Sequence, residues 1–173
     1  MKFKRIFILF FTLILFVVYF DTVYPKVFYE KIESADSIIV YKGKRILSLF
    51  NNGRLIKSYP ISLGSDPFGH KEQEGDGRTP EGVYLIDWLH PNSSYHKAIR
   101  ISYPNSIDKN SARKRGVKPG SDIMIHGLPN GLGWLYPLLS KIDWTEGCIA
   151  VSNVAIEEIA SSVSIGSTIT IEP

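Results

Sequence analysis

The chain opens MKFKRIFILFFTLILFVVYFD, and no other stretch restricts its fold as much. Lys2, Lys4 and Arg5 head a run from Ile6 to Phe20 in which Thr12 alone is polar. A basic head followed by an apolar stretch at a chain start is an export signal. As a helix the run rises about 22 Å, short of the roughly 30 Å hydrocarbon core. Phe3 and Tyr24 can make up part of the difference at the interfaces. The sequence that follows, DTVYPKVFYE, is a poor cleavage site. Residues 1–20 are therefore read as a signal anchor, with a cleaved signal peptide as the alternative. Residues 21–36 read as a stalk, and residues 37–173 as one exported domain. Positive charge stays inside, so that domain is expected in the cell envelope, facing the periplasm or exterior, or secreted if the signal is cleaved.

Export sets the meaning of charge and of cysteine. The net charge is +3, but with Lys2, Lys4 and Arg5 set aside 17 basic residues face 17 acidic ones. A nucleic-acid footprint is not supported. Cys148 is the only cysteine. Exported cysteines usually pair; a single one is buried and inert, bridged to another molecule, or kept as a reactive thiol.

After Ser37 the pattern is mainly β. SIIVYKGKRILSLFNNGRLIKSYPISLG holds three β-rich runs, and its Asn-Gly predicts a hairpin. GSDPFGHKEQEGDGRTPEG predicts a long loop. VYLIDWL, AIRISYP, DIMIHG and STITIE read as strands, and NSIDKNSARKRGVKPG as a polar stretch with one short helix. A second Gly/Pro-rich loop leads to Cys148, with a helical turn at residues 135–141. SNVAIEEIASSV is the strongest helix, capped by Ser152 or Asn153 and ended by Gly166, with Ile156, Ile159, Ala160 and Val163 on one buried face. Many short strands with one or two short helices predict a mainly-β sandwich or barrel.

Cys148 follows Gly147 at a loop-to-helix junction. A thiolate there gains from a helix N-terminus, and Gly147 lets nearby amides turn inward as oxyanion donors. The plainer reading is a buried structural cysteine. A base must be one of four histidines. His126 ends an apolar strand beside Gly127, which suits a catalytic group on a rigid scaffold and equally a core histidine. His70, His90 and His96 read as loop or surface histidines. No HExxH, CxxC or GxSxG occurs, so neither a metal site nor a serine-hydrolase elbow is expected.

IHG at Ile125–Gly127, followed by TEGCIAVSN at Thr145–Asn153, resembles the YkuD-type L,D-transpeptidase domain. Thr145, Gly147, Cys148, Ile149 and Asn153 match that family's signature, and GRTPEGVY is similar to its early Thr-Pro-x-Gly segment. The resemblance spans about Ser37 to Glu172 and looks like the subgroup of YafK-like proteins. Glu146, where many members have histidine, and Ala150, where many have arginine or asparagine, depart from the pattern. The resemblance implies a YkuD-like fold and a catalytic domain over residues 37–173. Cys148 would be the nucleophile and His126 its base. The Gly127 carbonyl would hold the imidazole tautomer, and the Gly147 and Cys148 amides would form an oxyanion hole. The substrate would be a peptidoglycan stem peptide, with no metal or organic cofactor.

Arg78, Arg100, Tyr103, Glu146 and Asn153 are candidates for substrate contacts. Arg113 and Arg115 read better as a solvated face, and Trp134 as packing. Glu146 would repel substrate carboxylates and favour cationic amines. Transpeptidation competes with an L,D-endopeptidase or amidase reading, because amine and water resolve the same thioester. A non-catalytic cell-wall-binding module and a disulfide-linked structural protein are the remaining classes.

Overall fold

The structure, a computed structural model, describes residues 2–173. Helix α1 (Lys2–Val18) runs on through a π-helical segment, Tyr19–Val23, into α2 (Tyr24–Phe28). The stretch Lys4–Phe28 is long and apolar enough to cross a membrane by length and composition. Its side chains from Ile6 to Phe16 project outward without a protein core to cover them. The helix therefore extends past the apolar run read from sequence, and residues 29–36 are irregular.

The rest is one eight-stranded mixed sheet ordered β3-β2-β1-β8-β4-β5-β6-β7. Its strands are β1 (Ser37–Tyr41), β2 (Ile46–Asn51), β3 (Arg54–Pro60), β4 (Gly82–Ser93), β5 (His96–Ile101), β6 (Met124–His126), β7 (Ile149–Ala150) and β8 (Thr168–Glu172). The β1–β8 and β6–β7 pairs are parallel; the other pairs are antiparallel. Asn52 and Gly53 join β2 to β3 with φ of 50° and 75°, both positive as a type I′ hairpin turn requires.

The two sheet edges meet. Ser62, just past β3, exchanges hydrogen bonds with Ala150 of β7 at 2.9 and 2.8 Å, and Gly64 bridges to Thr145. This closure gives the sheet a barrel-like course and brings the segment before Cys148 against the chain after β3. Alternate strand residues point inward: Ile38 and Val40, Leu47 and Leu49, Ile99 and Ile101, Ile125, Ile149, Ile169 and Ile171 form one core.

Three helices accompany the sheet: α3 (Ser106–Arg115), α4 (Tyr136–Leu139) and α5 (Asn153–Ser162). Asn105 caps α3 in a reciprocal box with Asp108. Ser152 caps α5 through the Ala155 amide. Ile156 and Ile159 are fully buried, as their spacing predicts. The helix stops at Ser162, with an extended Val163 after it, so it ends before Gly166.

Two acids on α5 are buried, which the apolar pattern alone does not foretell. Glu158 accepts from Tyr59 Oη at 2.9 Å and pairs with Lys57 at 2.8 Å. Glu157 meets His96 Nε2 at 2.9 Å and Lys97 Nζ at 2.5 Å. The His96 side chain is thus buried against Glu157, not a surface loop histidine. Burial would raise the Glu157 pKa, but the bonds from His96 and Lys97 more than offset it and bring it to about 2. A carboxylate held below its unfolded value stabilises fully above that value and loses this contribution as pH falls toward about 2. Glu157→Gln is expected to lower unfolding free energy by about 3 kcal/mol near neutral pH. The deficit should shrink on acidification below about pH 4.5, where unfolded Glu begins to protonate. Urea melts of both proteins across that range measure it.

Candidate active site

Register places the two candidate catalytic side chains on one face. In the parallel β6–β7 pair Ile125 lies opposite Ile149 and His126 opposite Ala150. Ile125 and Ile149 are fully buried in the core. Side chains alternate along a strand, so Met124 and His126 of β6 and Cys148 ahead of β7 lie on the opposite face. There they line a cavity of about 450 Å³ together with Ser93, Tyr95, Ala98, Asp122, Trp144, Thr145 and Glu146.

His126 Nδ1 lies 2.7 Å from the carbonyl oxygen of Gly127. A carbonyl only accepts, so Nδ1 carries the proton and Nε2 keeps its lone pair. Burial lowers the His126 pKa, and the Gly127 hydrogen bond opposes that only in part. The ring packs against Tyr95, at a centroid distance of 4.5 Å, and Trp144, at 5.8 Å, which also stack on each other at 6.3 Å. These two aromatics were not among the sequence-based site candidates. Their only signal is proximity in the fold.

Cys148 is a half-buried free thiol. Its hydrogen bond goes to the Asp122 carbonyl, Sγ to O at 3.7 Å. Burial pushes the thiol pKa up, against the Met124 backbone and the Lys71 charge, which favour the thiolate. Both shifts favour a neutral thiol and a neutral imidazole over a preformed ion pair. Lys71 is itself buried and paired with Asp76 at 2.7 Å. It sits in the ordered loop between β3 and β4, where Lys42 donates to Gly69 O, Thr79 O and Glu81 Oε1.

The turn before Cys148 is built on Thr145. Its hydroxyl donates to the Cys148 carbonyl at 2.7 Å and accepts from the Gly147 amide at 3.2 Å. The Gly147 N–H, expected as an oxyanion donor beside that of Cys148, is engaged by the Thr145 hydroxyl in this structure. Gly147 also serves the turn. Its φ is 120°, and a Cβ there would meet the Arg78 carbonyl oxygen at 2.5 Å.

The remaining sequence candidates separate. Glu146 is exposed at the cavity mouth. Arg100 lies near that mouth, 3.7 Å from Asp122, but its Nε is bound to Asp87 at 2.9 Å and its guanidinium lies over Trp88. Arg78 is tied to Asp66 at 2.9 Å, outside the cavity lining. Tyr103 is 4% exposed in the core and donates its hydroxyl to Pro119 O, so burial removes it from substrate contact. Asn153 is buried too. Its Oδ1 accepts from Leu128 N at 2.8 Å, which makes it a support of the loop after His126, away from the cavity surface. Among the described residues no group of three or more His, Cys, Asp or Glu side chains could hold a metal ion.

The family profile of the YkuD L,D-transpeptidase catalytic domain matches residues 35–171. The chain belongs to this family. It is 33% identical over 133 residues to a protein of Escherichia coli (strain K12) named "Putative L,D-transpeptidase YafK", covering 73% of this chain and 46% of that one. The chain thus spans about half the length of the curated relatives it matches. Among solved structures it resembles the helical cell shape determining protein Pgp2 (K307A mutant) from Campylobacter jejuni, with a TM-score of 0.59 and 26% identity over 84% of this chain and 48% of that one. It shares its fold with an L,D-transpeptidase from Mycobacterium smegmatis, with a TM-score of 0.54 and 15% identity over 83% and 59% of the two chains.

Proposed function

We propose that the protein is a cysteine acyltransferase acting on peptidoglycan stem peptides, held at the envelope by its N-terminal helix. One observation carries the reading: His126 and Cys148 face a common cavity from adjacent strands, with the imidazole tautomer fixed by the Gly127 carbonyl. His126 Nε2 takes the proton of the Cys148 thiol, and the sulfur attacks the carbonyl carbon of a stem-peptide amide. The Cys148 N–H faces the developing oxyanion. The imidazolium returns its proton to the departing amine as the C–N bond breaks, leaving a thioester. A second amine attacks the thioester to give the new amide and restores the thiol.

Transpeptidation is the favoured outcome because the cavity mouth carries the acidic Glu146 and Asp122, which attract a cationic amine. Family membership supports the same reaction class. Water in place of the amine gives the endopeptidase or amidase alternative. The likeness to Pgp2 supports a part in cell shape. Incubating the full chain with muropeptides should yield new cross-linked species by mass spectrometry, and Cys148→Ala should yield none. Loss of existing cross-links without new ones would move the assignment to hydrolysis. Unchanged muropeptides with an alkylation-inert Cys148 would leave only a binding module.

A further inference from the structure

Asp21 stands at the exit of the apolar helix, where a charged side chain would ordinarily face solvent. It is 5% exposed. The backbone around it, Tyr19–Val23, is π-helical, closed by the Tyr24 amide on Tyr19 O, an irregularity that often marks functional positions. Its carboxylate reaches a loop more than a hundred residues away in sequence. Oδ2 accepts from Gly131 N at 2.6 Å and Oδ1 from Gly133 N at 2.8 Å. Its main-chain oxygen lies 3.5 Å from Asn153 Nδ2, and the other end of that amide accepts from Leu128 N. Leu128 follows Gly127, whose carbonyl holds His126.

Space around this path is full. A Cβ on Gly133 would meet Asn153 Nδ2 at 2.7 Å and Asp21 Oδ1 at 2.9 Å, and one on Gly127 would meet Asn153 Oδ1 at 2.7 Å. An unbroken series of hydrogen bonds and close contacts therefore links the membrane-side helix to the imidazole.

We infer that Asp21 is a positioning residue for His126: its carboxylate and the Asn153 amide clamp the loop Leu128–Gly133, so that the N-terminal helix is a working part of the active site as well as a tether. The inference rests on His126 being the base for Cys148. It also requires that Asp21 remain attached to the domain.

The test uses the full chain in detergent micelles. Asp21→Asn keeps the size but turns one of the two acceptor oxygens into an NH2 that faces an amide N–H. Hydrogen exchange across residues 128–133 is expected to speed up about tenfold or more. Iodoacetamide labelling of Cys148 near neutral pH is expected to slow by about tenfold. In the His126→Ala background Asp21→Asn should slow labelling no further, since the base it positions is gone. Asn153→Ala attacks the clamp from its other end and should reproduce the pattern if Asp21→Asn does not fold. Unchanged exchange overturns the inference, and so does equal slowing with and without His126. Labelling that is indifferent to His126→Ala alone would instead overturn the functional reading on which the inference rests.

Discussion

His126→Ala is expected to slow both muropeptide transfer and alkylation of Cys148 by about a hundredfold to ten-thousandfold, the usual worth of a positioned base. The argument starts from the two pKa directions. Burial raises the thiol and lowers the imidazole, so a spontaneous thiolate is scarce near neutral pH while the neutral base is plentiful. The base acts only when neutral. Because its pKa lies below the usual value of 6.5, the wild-type rate should hold as pH falls through ordinary histidine values and drop only below them. Without His126 the labelling rate should follow the thiolate fraction, climbing with pH and levelling off only above the ordinary thiol value of 9.0. Iodoacetamide kinetics from acid to alkaline pH measure both limbs. An unchanged profile in the variant would remove His126 from the mechanism.

The same residues mark what a linear reading can reach. Strand runs, the Asn-Gly hairpin and the α5 cap are local, and they were legible. That His126 ends an apolar strand and that Cys148 stands at a loop-to-helix junction was legible too, but the register that puts both on one face belongs to the β6–β7 pairing. Tyr103 and Asn153 misled for a shared reason. Polar or aromatic character beside a site does not tell which way a side chain turns, and here both turn inward. Gly147 was sound as a residue the turn requires, while the hydrogen bond of its amide to Thr145 could not be read from the sequence. The Asp21 clamp and the Tyr95–His126–Trp144 packing depend on contacts that only the closed sheet creates. No local pattern encodes them.

Gly64→Ala is expected to be the most destabilising single methyl addition in the domain, at least about 3 kcal/mol, beyond the usual range for overpacking. A Cβ there would lie 1.9 Å from the Gly77 carbonyl oxygen, 2.8 Å from its carbon and 3.0 Å from Gly147 Cα. All three are backbone atoms, so no rotamer change relieves the contact. Gly64 does not have a left-handed φ, unlike Gly77 at 67° and Gly147 at 120°, so its requirement is for space alone. Gly53→Ala separates the two effects. Its φ is 75° with nothing within 4 Å, and it should cost only about 1 kcal/mol of backbone strain. Urea melts of the two variants measure the contrast. The larger loss carries a functional consequence, because Gly64 packs against Gly77 and against Gly147, the residue before Cys148. The chain can accept the methyl only by moving the Gly77 carbonyl away, and the Gly147 backbone at 3.0 Å must shift as well. Cys148 moves with it, and the Thr145 turn that holds its carbonyl is pulled open. The fraction of Gly64→Ala that still folds should therefore lose Cys148 reactivity, whereas Gly53→Ala should keep it at the wild-type rate.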